Sequence, residues 1–200
     1  MRQVQGYIGL AACLTAPRKD LGGCKVAILA LDGFEQVELT EPRRALQDAG
    51  ATAEIVSAKP GEIQGFNHDK PADKFKVDAT LDRAKPDDYD AVLLPGGVMN
   101  GDTLRINPHA QKFVQAMQQA GKPIAVICHG GWLLVSSGLV KGRHMTSWPT
   151  LQDDIRNAGG RWSDEPVVRD ANWVSSRKPD DLPQFNAAML ELLASRVAAH

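Results

Sequence analysis

A short apolar run that ends abruptly at a cysteine is the feature that most constrains the fold of this chain. Residues 124–127 read I-A-V-I, the composition of a strand buried on both faces of a parallel sheet. The run stops at Cys128, His129 and two glycines, and residues 132–137 then have the pattern of a helix start. A strand, a sharp turn and a helix in this order predict an α/β sheet with a reactive side chain projecting from its end.

Similar apolar runs, each followed by a turn, recur along the chain. Residues 24–31, 52–57 and 89–94 are expected strands, and residues 35–49 and 108–120 are expected helices. The elements expected further on are a helix over 151–158, a hairpin over 167–175 and a closing helix over 182–198. Strands that alternate with helices at this spacing predict an α/β fold, a doubly wound, flavodoxin-like three-layer sandwich with a mostly parallel sheet.

Two segments of this pattern are expected to be irregular. Polar residues 58–72 predict a small hairpin or loop before a strand at 74–78, with His68 on the surface. Residues 98–106, between a glycine turn and the next helix, are expected to form a loop. The expected architecture therefore has no helix in either segment.

Composition and charge limit the kinds of partner. A hydrophobic content of 43% in 200 residues suits one full-sized domain. A net charge of -1, with lysines and arginines scattered along the chain, provides no basic surface for nucleic acid or an anionic membrane. Cys13, Cys24 and Cys128 lack the spacing of a metal site or a disulfide framework, so no metal, no cofactor and a reducing cytoplasm are expected.

The first 23 residues differ in character from the rest. Residues 7–14 are weakly apolar but too short to span a bilayer. Residues 10–13 look like a lipoprotein cleavage box, so export is an alternative. The expected organisation is a disordered extension over residues 1–23 and one domain over residues 24–200.

The turns that follow three of the expected strands should converge at one edge of the sheet. They span residues 32–38, 95–102 and 128–131. Cys128 is the candidate nucleophile, because a helix N-terminus favours a thiolate and lowers the thiol pKa. The alternative is that Cys128 is a small buried hydrophobe at a strand end.

Groups in these turns supply the rest of the candidate site. Gly96 and Gly97 can bring backbone N–H groups to a substrate carbonyl and form an oxyanion hole with the N–H of His129, although a tight turn alone also explains the glycines. The His129 side chain either flanks the substrate or faces solvent. Glu38 can hydrogen-bond the sulfur and Glu35 can contact substrate, unless both only cap the first helix.

Five short motifs resemble those of the PfpI family of intracellular cysteine peptidases. That family belongs to the superfamily of the Parkinson-disease deglycase, within the class I glutamine amidotransferase-like fold. The motifs are G-F-E-Q-V-E-L at 33–39, L-P-G-G at 94–97, I-C-H-G-G-W at 127–132, T-S-W-P at 146–149 and S-S-R-K-P-D-D-L at 175–182. The resemblance covers the chain from residue 24 to its C-terminus.

The resemblance implies roles for individual residues. Cys128 corresponds to the nucleophile, His129 to the catalytic histidine and Glu38 to the carboxyl that contacts the cysteine. Asp102 takes the place of an acid that completes the triad from a neighbouring subunit, which implies a homodimer or a higher homo-oligomer. Gly131 stands where relatives often carry proline, and the loop before Asp102 is one residue longer than in some members. No late His-x-Glu pair follows, so a glutaminase is not expected.

The expected function is a cofactor-free cysteine hydrolase of the PfpI type, a stress-related protease or amidase acting on a small carbonyl or peptide substrate. A glyoxalase or deglycase acting on methylglyoxal or its protein adducts is the first alternative. Both activities use a thiolate that adds to an electrophilic carbon, so the sequence does not separate them. The second alternative is a non-enzymatic redox sensor or chaperone in which Cys128 is oxidised to a sulfenic acid or a sulfinate.

Overall fold

The computed structural model describes residues 20–197, in which a central sheet is covered by helices on both faces. The strands are β1 Lys25–Leu29, β2 Phe34–Glu35, β3 Thr52–Ser57, β4 Glu62–Asn67, β5 Lys70–Lys76, β6 Ala79–Thr80, β7 Ala91–Leu94, β8 Ile124–Ile127, β9 His144–Met145, β10 Arg161–Trp162, β11 Val167–Asp170 and β12 Trp173–Ser176. The α-helices are α1 Gln36–Asp48, α2 Val98–Arg105, α3 Pro108–Gln119, α4 Gly131–Ser136, α5 Gln152–Asn157 and α6 Leu182–Val197. None of these helices is long and apolar enough to cross a membrane.

The central sheet has seven strands in the order β11-β12-β8-β7-β1-β3-β6. Every neighbouring pair in it is parallel except β11 with β12, which form the hairpin expected near the C-terminus. Two smaller sheets, β9 with β10 and β2 with β4 and β5, flank it. The prediction of a doubly wound, mostly parallel sheet is confirmed.

Side chains of the central strands alternate between two apolar layers. In β1, Val26 and Ile28 pack in the layer that contains α1 and α6. Ala27 and Leu29 pack in the layer that contains α3, α4 and α5. All four are almost fully buried, so this continuously apolar strand packs into a hydrophobic core on each of its two faces.

The three middle strands bring their carboxyl ends to one edge of the sheet. β7 lies between β1 and β8, and the pairs Ile28 with Leu93 and Leu94 with Val126 fix the parallel register. The turns after β1, β7 and β8 therefore adjoin, as the sequence predicts.

Helix α2 occupies the segment expected to be a loop over residues 98–106. Its glycine, asparagine and threonine have weak helix propensity. Asn100 accounts for the difference, because it is fully buried and its Oδ1 accepts a hydrogen bond from the Leu31 N–H at 2.8 Å. Its Nδ2 donates to the carbonyl oxygens of Pro95 and Gly96 at 3.1 and 3.0 Å. These tertiary bonds hold the helix, and the loop prediction is wrong.

The structured domain begins before the expected boundary at residue 24. Leu21 is fully buried, and its N–H donates to the Ala49 carbonyl oxygen at 2.7 Å. Residues 20–23 therefore belong to the domain, because one leucine in a polar stretch reaches the core. The remainder of the expected disordered extension, residues 1–19, lies outside the described residues.

A hairpin of β4 and β5 fills the polar segment where a small hairpin or a loop was expected. It is longer than expected, since β5 extends to Lys76 and includes the first part of the separate strand predicted at 74–78. Phe34 of β2 pairs with Gly65 of β4, which attaches the hairpin to the turn after β1. The tip of the hairpin, residues 68–69, is thereby carried to the same edge as the candidate site.

Candidate active site

Cys128 follows β8 directly and begins a short 3-10 turn, Cys128–Gly130, that leads into α4. Its φ of 59° lies in the left-handed region that residues other than glycine rarely occupy. Gly130 makes the turn possible, because a Cβ at that position would lie 2.9 Å from the Pro95 carbonyl oxygen. The turn projects Cys128 beyond the strand end, where 7% of the residue is exposed.

The His129 ring lies beside the thiol although the two residues are neighbours in the sequence. Its Nδ1 is 3.2 Å from Cys128 Sγ. Trp132 and Trp148 flank the ring at centroid distances of 5.0 and 5.9 Å. Burial lowers the pKa of His129 to about 4, so the imidazole is neutral at pH 7. With Nδ1 facing the thiol, the ring can act as a proton acceptor, and Nε2 has no hydrogen-bond partner within residues 20–197.

Glu38 lies at the first turn of α1 and is fully buried beneath the site. Its Oε2 accepts a hydrogen bond from the Gly96 N–H at 2.8 Å, whereas its Oε1 has no hydrogen-bond partner among the described residues. Burial raises the pKa of Glu38 to about 8, and the charge of Glu35 adds to the increase. The Gly96 N–H and the contact with Cys128 act in the opposite direction. At pH 7 the carboxyl is therefore mainly protonated.

The protonation of Cys128 depends on that of Glu38. Burial raises the pKa of the thiol, and a negative charge on Glu38 raises it further. The backbone N–H groups of His129 and Gly97 act in the opposite direction. The expected low pKa of Cys128 is thus wrong for the single chain, because burial outweighs the effect of the neighbouring N–H groups. A protonated Glu38 removes the charge that opposes the thiolate, so the two groups titrate as a coupled pair.

The two glycines after β7 have different roles. The Gly96 N–H is bonded to Glu38 and is not free for the oxyanion hole in which it was expected. Gly96 instead permits close packing, because a Cβ there would lie 2.6 Å from Cys128 Cβ and 2.9 Å from the His129 nitrogen. Gly97 has a φ of 90°, and its N–H and that of His129 are the donors beside the sulfur.

Glu35 and Asp102 occupy different environments from Glu38. The Glu35 side chain is 12% exposed, and its Oε2 accepts a hydrogen bond from the His68 N–H at 3.0 Å. The His68 side chain itself is exposed, as expected. Asp102 lies on the exposed face of α2 and makes no hydrogen bond to His129 within residues 20–197. A single chain therefore brings together Cys128, His129 and Glu38, but leaves Asp102 apart.

A cavity of about 810 Å³ opens above Cys128 and His129. Sequence reasoning found Glu35, Glu38 and Gly97 in its wall but missed others. These are mainly Phe66 and Asp69 of the hairpin, Met99 of α2, and the indoles Trp132 and Trp148. The T-S-W-P motif contained a signal for Trp148, whereas the hairpin residues become neighbours only through the pairing of β2 with β4.

A second cavity, of about 700 Å³, lies at the opposite end of the strands and includes Cys24. Cys24 is 4% exposed, and burial raises its pKa to about 11. This thiol is therefore protonated at neutral pH, and its cavity offers no activated nucleophile. Within residues 20–197 no group of three or more His, Cys, Asp or Glu side chains is placed to hold a metal ion.

Glu38 gives the stability of the protein a specific dependence on pH. Its carboxyl has an ordinary pKa of 4.5 when unfolded and of about 8 when folded. Because the folded-state pKa is the higher one, the stability contributed by the protonated carboxyl is complete below about pH 4.5 and is lost as the pH rises to about 8. Between these two pH values, ionisation of the buried Glu38 carboxyl therefore lowers the stability of the wild-type protein increasingly as the pH rises.

We expect Glu38→Gln to remove that cost, since an amide cannot ionise. Its free energy of unfolding should rise relative to wild type by up to about 1.4 kcal/mol per pH unit across the window. Urea unfolding of both proteins at several pH values measures the difference, and the contribution of His129 cancels because both proteins contain it. Glu62→Gln, at an exposed position of β4, is the matched control. A difference between wild type and Glu38→Gln that stays constant with pH would contradict the raised pKa.

The fold and the site together define a class of protein. A parallel sheet that presents a cysteine at a left-handed strand-to-helix turn, beside a histidine and a buried carboxyl, is an α/β domain with a cysteine nucleophile elbow. The chain belongs to the DJ-1/PfpI family, whose model matches residues 24–192. The resemblance inferred from the motifs is confirmed.

Curated relatives match almost over their whole length. Deglycase PfpI of Pyrococcus furiosus is 41% identical over 169 residues, which cover 84% of this chain and 99% of that protein. The "Putative cysteine protease YraA" of Bacillus subtilis is 36% identical over 170 residues, which cover 84% of this chain and 98% of that protein.

Solved structures share the fold. A two-domain protein of Anabaena variabilis, with DJ-1/ThiJ/PfpI-like and ferritin-like domains, has a TM-score of 0.79 at 33% identity. The match covers 85% of this chain but only 48% of that one. DJ-1beta of Drosophila melanogaster has a TM-score of 0.78 at 24% identity, covers 86% of this chain and 90% of its own, and supports the fold alone.

Proposed function

We propose that the protein is a cofactor-free cysteine hydrolase that acts as a deglycase on small carbonyl adducts of amines or thiols. The observation that carries the proposal is the 3.2 Å contact between Cys128 Sγ and the neutral His129 ring at the base of the cavity. Hydrolysis of a methylglyoxal adduct consumes one water and releases the amine and lactate, so the reaction needs no external oxidant or reductant.

The common first step is addition of the sulfur to a carbonyl carbon. His129 Nδ1 accepts the thiol proton, the sulfur–carbon bond forms, and the carbonyl electron pair moves onto oxygen. The N–H groups of Gly97 and His129 lie on the side of the thiol and are the available donors to that oxyanion. The protonated Glu38 carboxyl keeps a negative charge away from the sulfur while the thiolate exists.

Peptide or amide hydrolysis is the second candidate, and the low exposure of the reacting residues supports placing it second. Cys128 and His129 are each only 7% exposed, which suits a small carbonyl group that enters a cavity better than an extended backbone lying in a groove. The names of the two relatives, a deglycase and a cysteine protease, support this pair of activities. We therefore place the deglycase first, whereas the sequence analysis placed peptidase activity first.

Purified protein should release free amine and lactate from a methylglyoxal adduct of N-acetylarginine, and Cys128→Ser should lower the turnover by ~10³-fold or more. Amine release and lactate are measured together, and a fluorogenic peptide is assayed in parallel. Cys24→Ala is the control, because its buried, protonated thiol has no catalytic part. Turnover of the peptide alone would select the peptidase, and equal turnover by wild type and Cys128→Ser would exclude both activities.

Assembly into a homo-oligomer through α2 is part of the proposal. Val98, Met99 and Ile106 are 56%, 50% and 75% exposed, and they are the large exposed hydrophobic residues of the described part of the chain. Val98, Asp102 and Ile106 are spaced four residues apart and share one face of the helix turn. A second copy that covers this apolar face contacts Asp102 as well, which supports a shared site in which the carboxylate reaches the partner's His129 ring.

A further inference from the structure

The wall of the active-site cavity contains negative charges without positive ones. Glu35 and Asp69 contribute carboxylates, and no lysine or arginine is among the residues of 20–197 that line it. Asp69 has no ion pair or hydrogen bond within that part of the chain and lies at the exposed hairpin tip. Among residues 20–197, the basic side chains in the wall are those of His68 and His129, and His129 is neutral at pH 7.

The Glu35 carboxylate is held in a fixed position. Its Oε2 accepts the hydrogen bond from the His68 backbone N–H at 3.0 Å and lies 3.8 Å from the Nδ1 of the same residue. Its Oε1 accepts no hydrogen bond from any residue between 20 and 197, so one oxygen is left for a ligand. One oxygen of this carboxylate is hydrogen-bonded and holds the group in place, while the other has no partner within residues 20–197. Such a carboxylate is a preorganised acceptor for an N–H donor.

Two further features of the same wall point to a bound ligand. The Glu38 Oε1 is completely buried and has no hydrogen-bond partner among the described residues. Trp132 and Trp148 supply apolar aromatic surface, and the Arg105 guanidinium already lies 5.3 Å from the centroid of the Trp132 ring. The Arg105 guanidinium does not line the cavity, and its Nε donates a hydrogen bond to Ser136 Oγ at 2.9 Å. The face of the Trp132 ring therefore already accepts a cation.

We propose that this cavity selects substrates with an ammonium or guanidinium group close to the reacting carbonyl, through the carboxylates of Glu35 and Asp69. The inference deepens the proposed function, because it assigns the charge of the substrate accepted by the same site. A substrate with a carboxylate at that position is disfavoured by both side chains, because like charges repel.

Thiol labelling tests the selectivity without requiring turnover. Methanethiosulfonate reagents carry either a positive trimethylammonioethyl group or a negative sulfonatoethyl group. With both reagents the thiolate of Cys128 attacks the sulfur–sulfur bond, forms a mixed disulfide and releases methanesulfinate. The ratio of the two rates, read at the peptide that contains Cys128, is independent of the thiolate fraction. N-acetylcysteine measured in the same buffer supplies the reference ratio.

At low ionic strength the wild-type rate ratio, positive over negative reagent, should exceed the reference ratio by roughly tenfold or more. Glu35→Gln and Asp69→Asn should each reduce it roughly fivefold, and added salt should reduce it in wild type. Glutamine keeps an oxygen that can accept the His68 N–H, so the hairpin tip retains its anchor. Glu62→Gln, on the same hairpin but outside the cavity, should leave the ratio unchanged.

The outcomes separate this inference from the proposed function. A wild-type ratio equal to the reference, or a ratio unchanged in both cavity variants, overturns the charge selectivity whatever the enzyme turns over. A selective thiol in a protein with no hydrolase turnover overturns the proposed function and leaves the selectivity in place. With turnover present, fluorogenic peptides with arginine or neutral citrulline beside the reacting carbonyl should differ mainly in KM, and Glu35→Gln should shrink that difference.

Discussion

Alanine at position 96 should abolish most of the activity while the rest of the fold is retained. The new Cβ would lie 2.6 Å from Cys128 Cβ and 2.9 Å from the His129 nitrogen, and it would also contact Glu38 Oε2. These atoms must move apart, and a displacement near 1 Å at a reacting centre costs ~10²-fold in rate. We expect Gly96→Ala to lose at least that factor in kcat/KM, measured with whichever substrate the wild type turns over.

Gly131→Ala is the matched control for the close packing at Gly96. Its Cβ would meet no atom closer than Leu151 Cδ2 at 3.4 Å, and the backbone φ of -59° is ordinary for alanine. Because Gly131 begins α4, alanine should add up to about 1 kcal/mol of stability with activity unchanged. Circular dichroism and thermal unfolding establish that both variants are folded. Equal activity in folded Gly96→Ala and Gly131→Ala would show that the contact between the turns is dispensable.

Mixing two inactive variants should restore activity if Asp102 acts across a subunit interface. Cys128→Ser lacks the nucleophile, and Asp102→Asn lacks the carboxylate that would hold His129 Nε2–H and raise the basicity of the ring. In a mixed pair, the chain that retains Cys128 faces the chain that retains Asp102, so one complete site forms. After random exchange in an equal mixture, about half of the pairs are mixed and each mixed pair has one complete site out of two. The mixture should therefore recover about a quarter of the wild-type activity per chain.

The exchange is carried out in mild denaturant followed by dilution, and each variant treated alone is the control. A mixture that remains inactive would place Asp102 in its own chain or outside the site. Full activity of Asp102→Asn alone would remove the residue from catalysis. Light scattering on Ile106→Glu provides an independent check, because a charge at the most exposed apolar residue of that face should dissociate the proposed assembly.

Strands and their order could be predicted because local composition determined them. Residues 52–57 were predicted with the bounds that β3 has, and the apolar runs at β7 and β8 left little choice but a buried parallel sheet. Helix α2 could not be predicted from local propensity, since the Asn100 side chain holds it by accepting a hydrogen bond from the distant Leu31 N–H and donating one to the Pro95 carbonyl oxygen. The same applies to Leu21, whose burial depends on where α1 ends.

The chemistry of the site was only partly visible in the sequence. A cysteine after an apolar run indicated Cys128 and its turn, and glycines indicated where backbones approach each other. Protonation states were not visible, because they depend on burial: the pKa of Glu38 is raised and that of His129 lowered by the same loss of water. The cavity wall also includes Asp69, which is brought there by a strand pairing far along the chain.

The hydrogen bonds of Asn100 have a consequence for how the enzyme responds to dilution. They join α2, which carries the exposed apolar face, to the backbone of the turn that holds Glu38. The association proposed for that face and the arrangement of the reacting groups are joined by these bonds, so a coupling between the two acts in both directions. If the proposed association supports the arrangement of the reacting groups, specific activity should fall when the protein is diluted below the dissociation constant of the assembly, and a ligand bound at Cys128 should lower that constant.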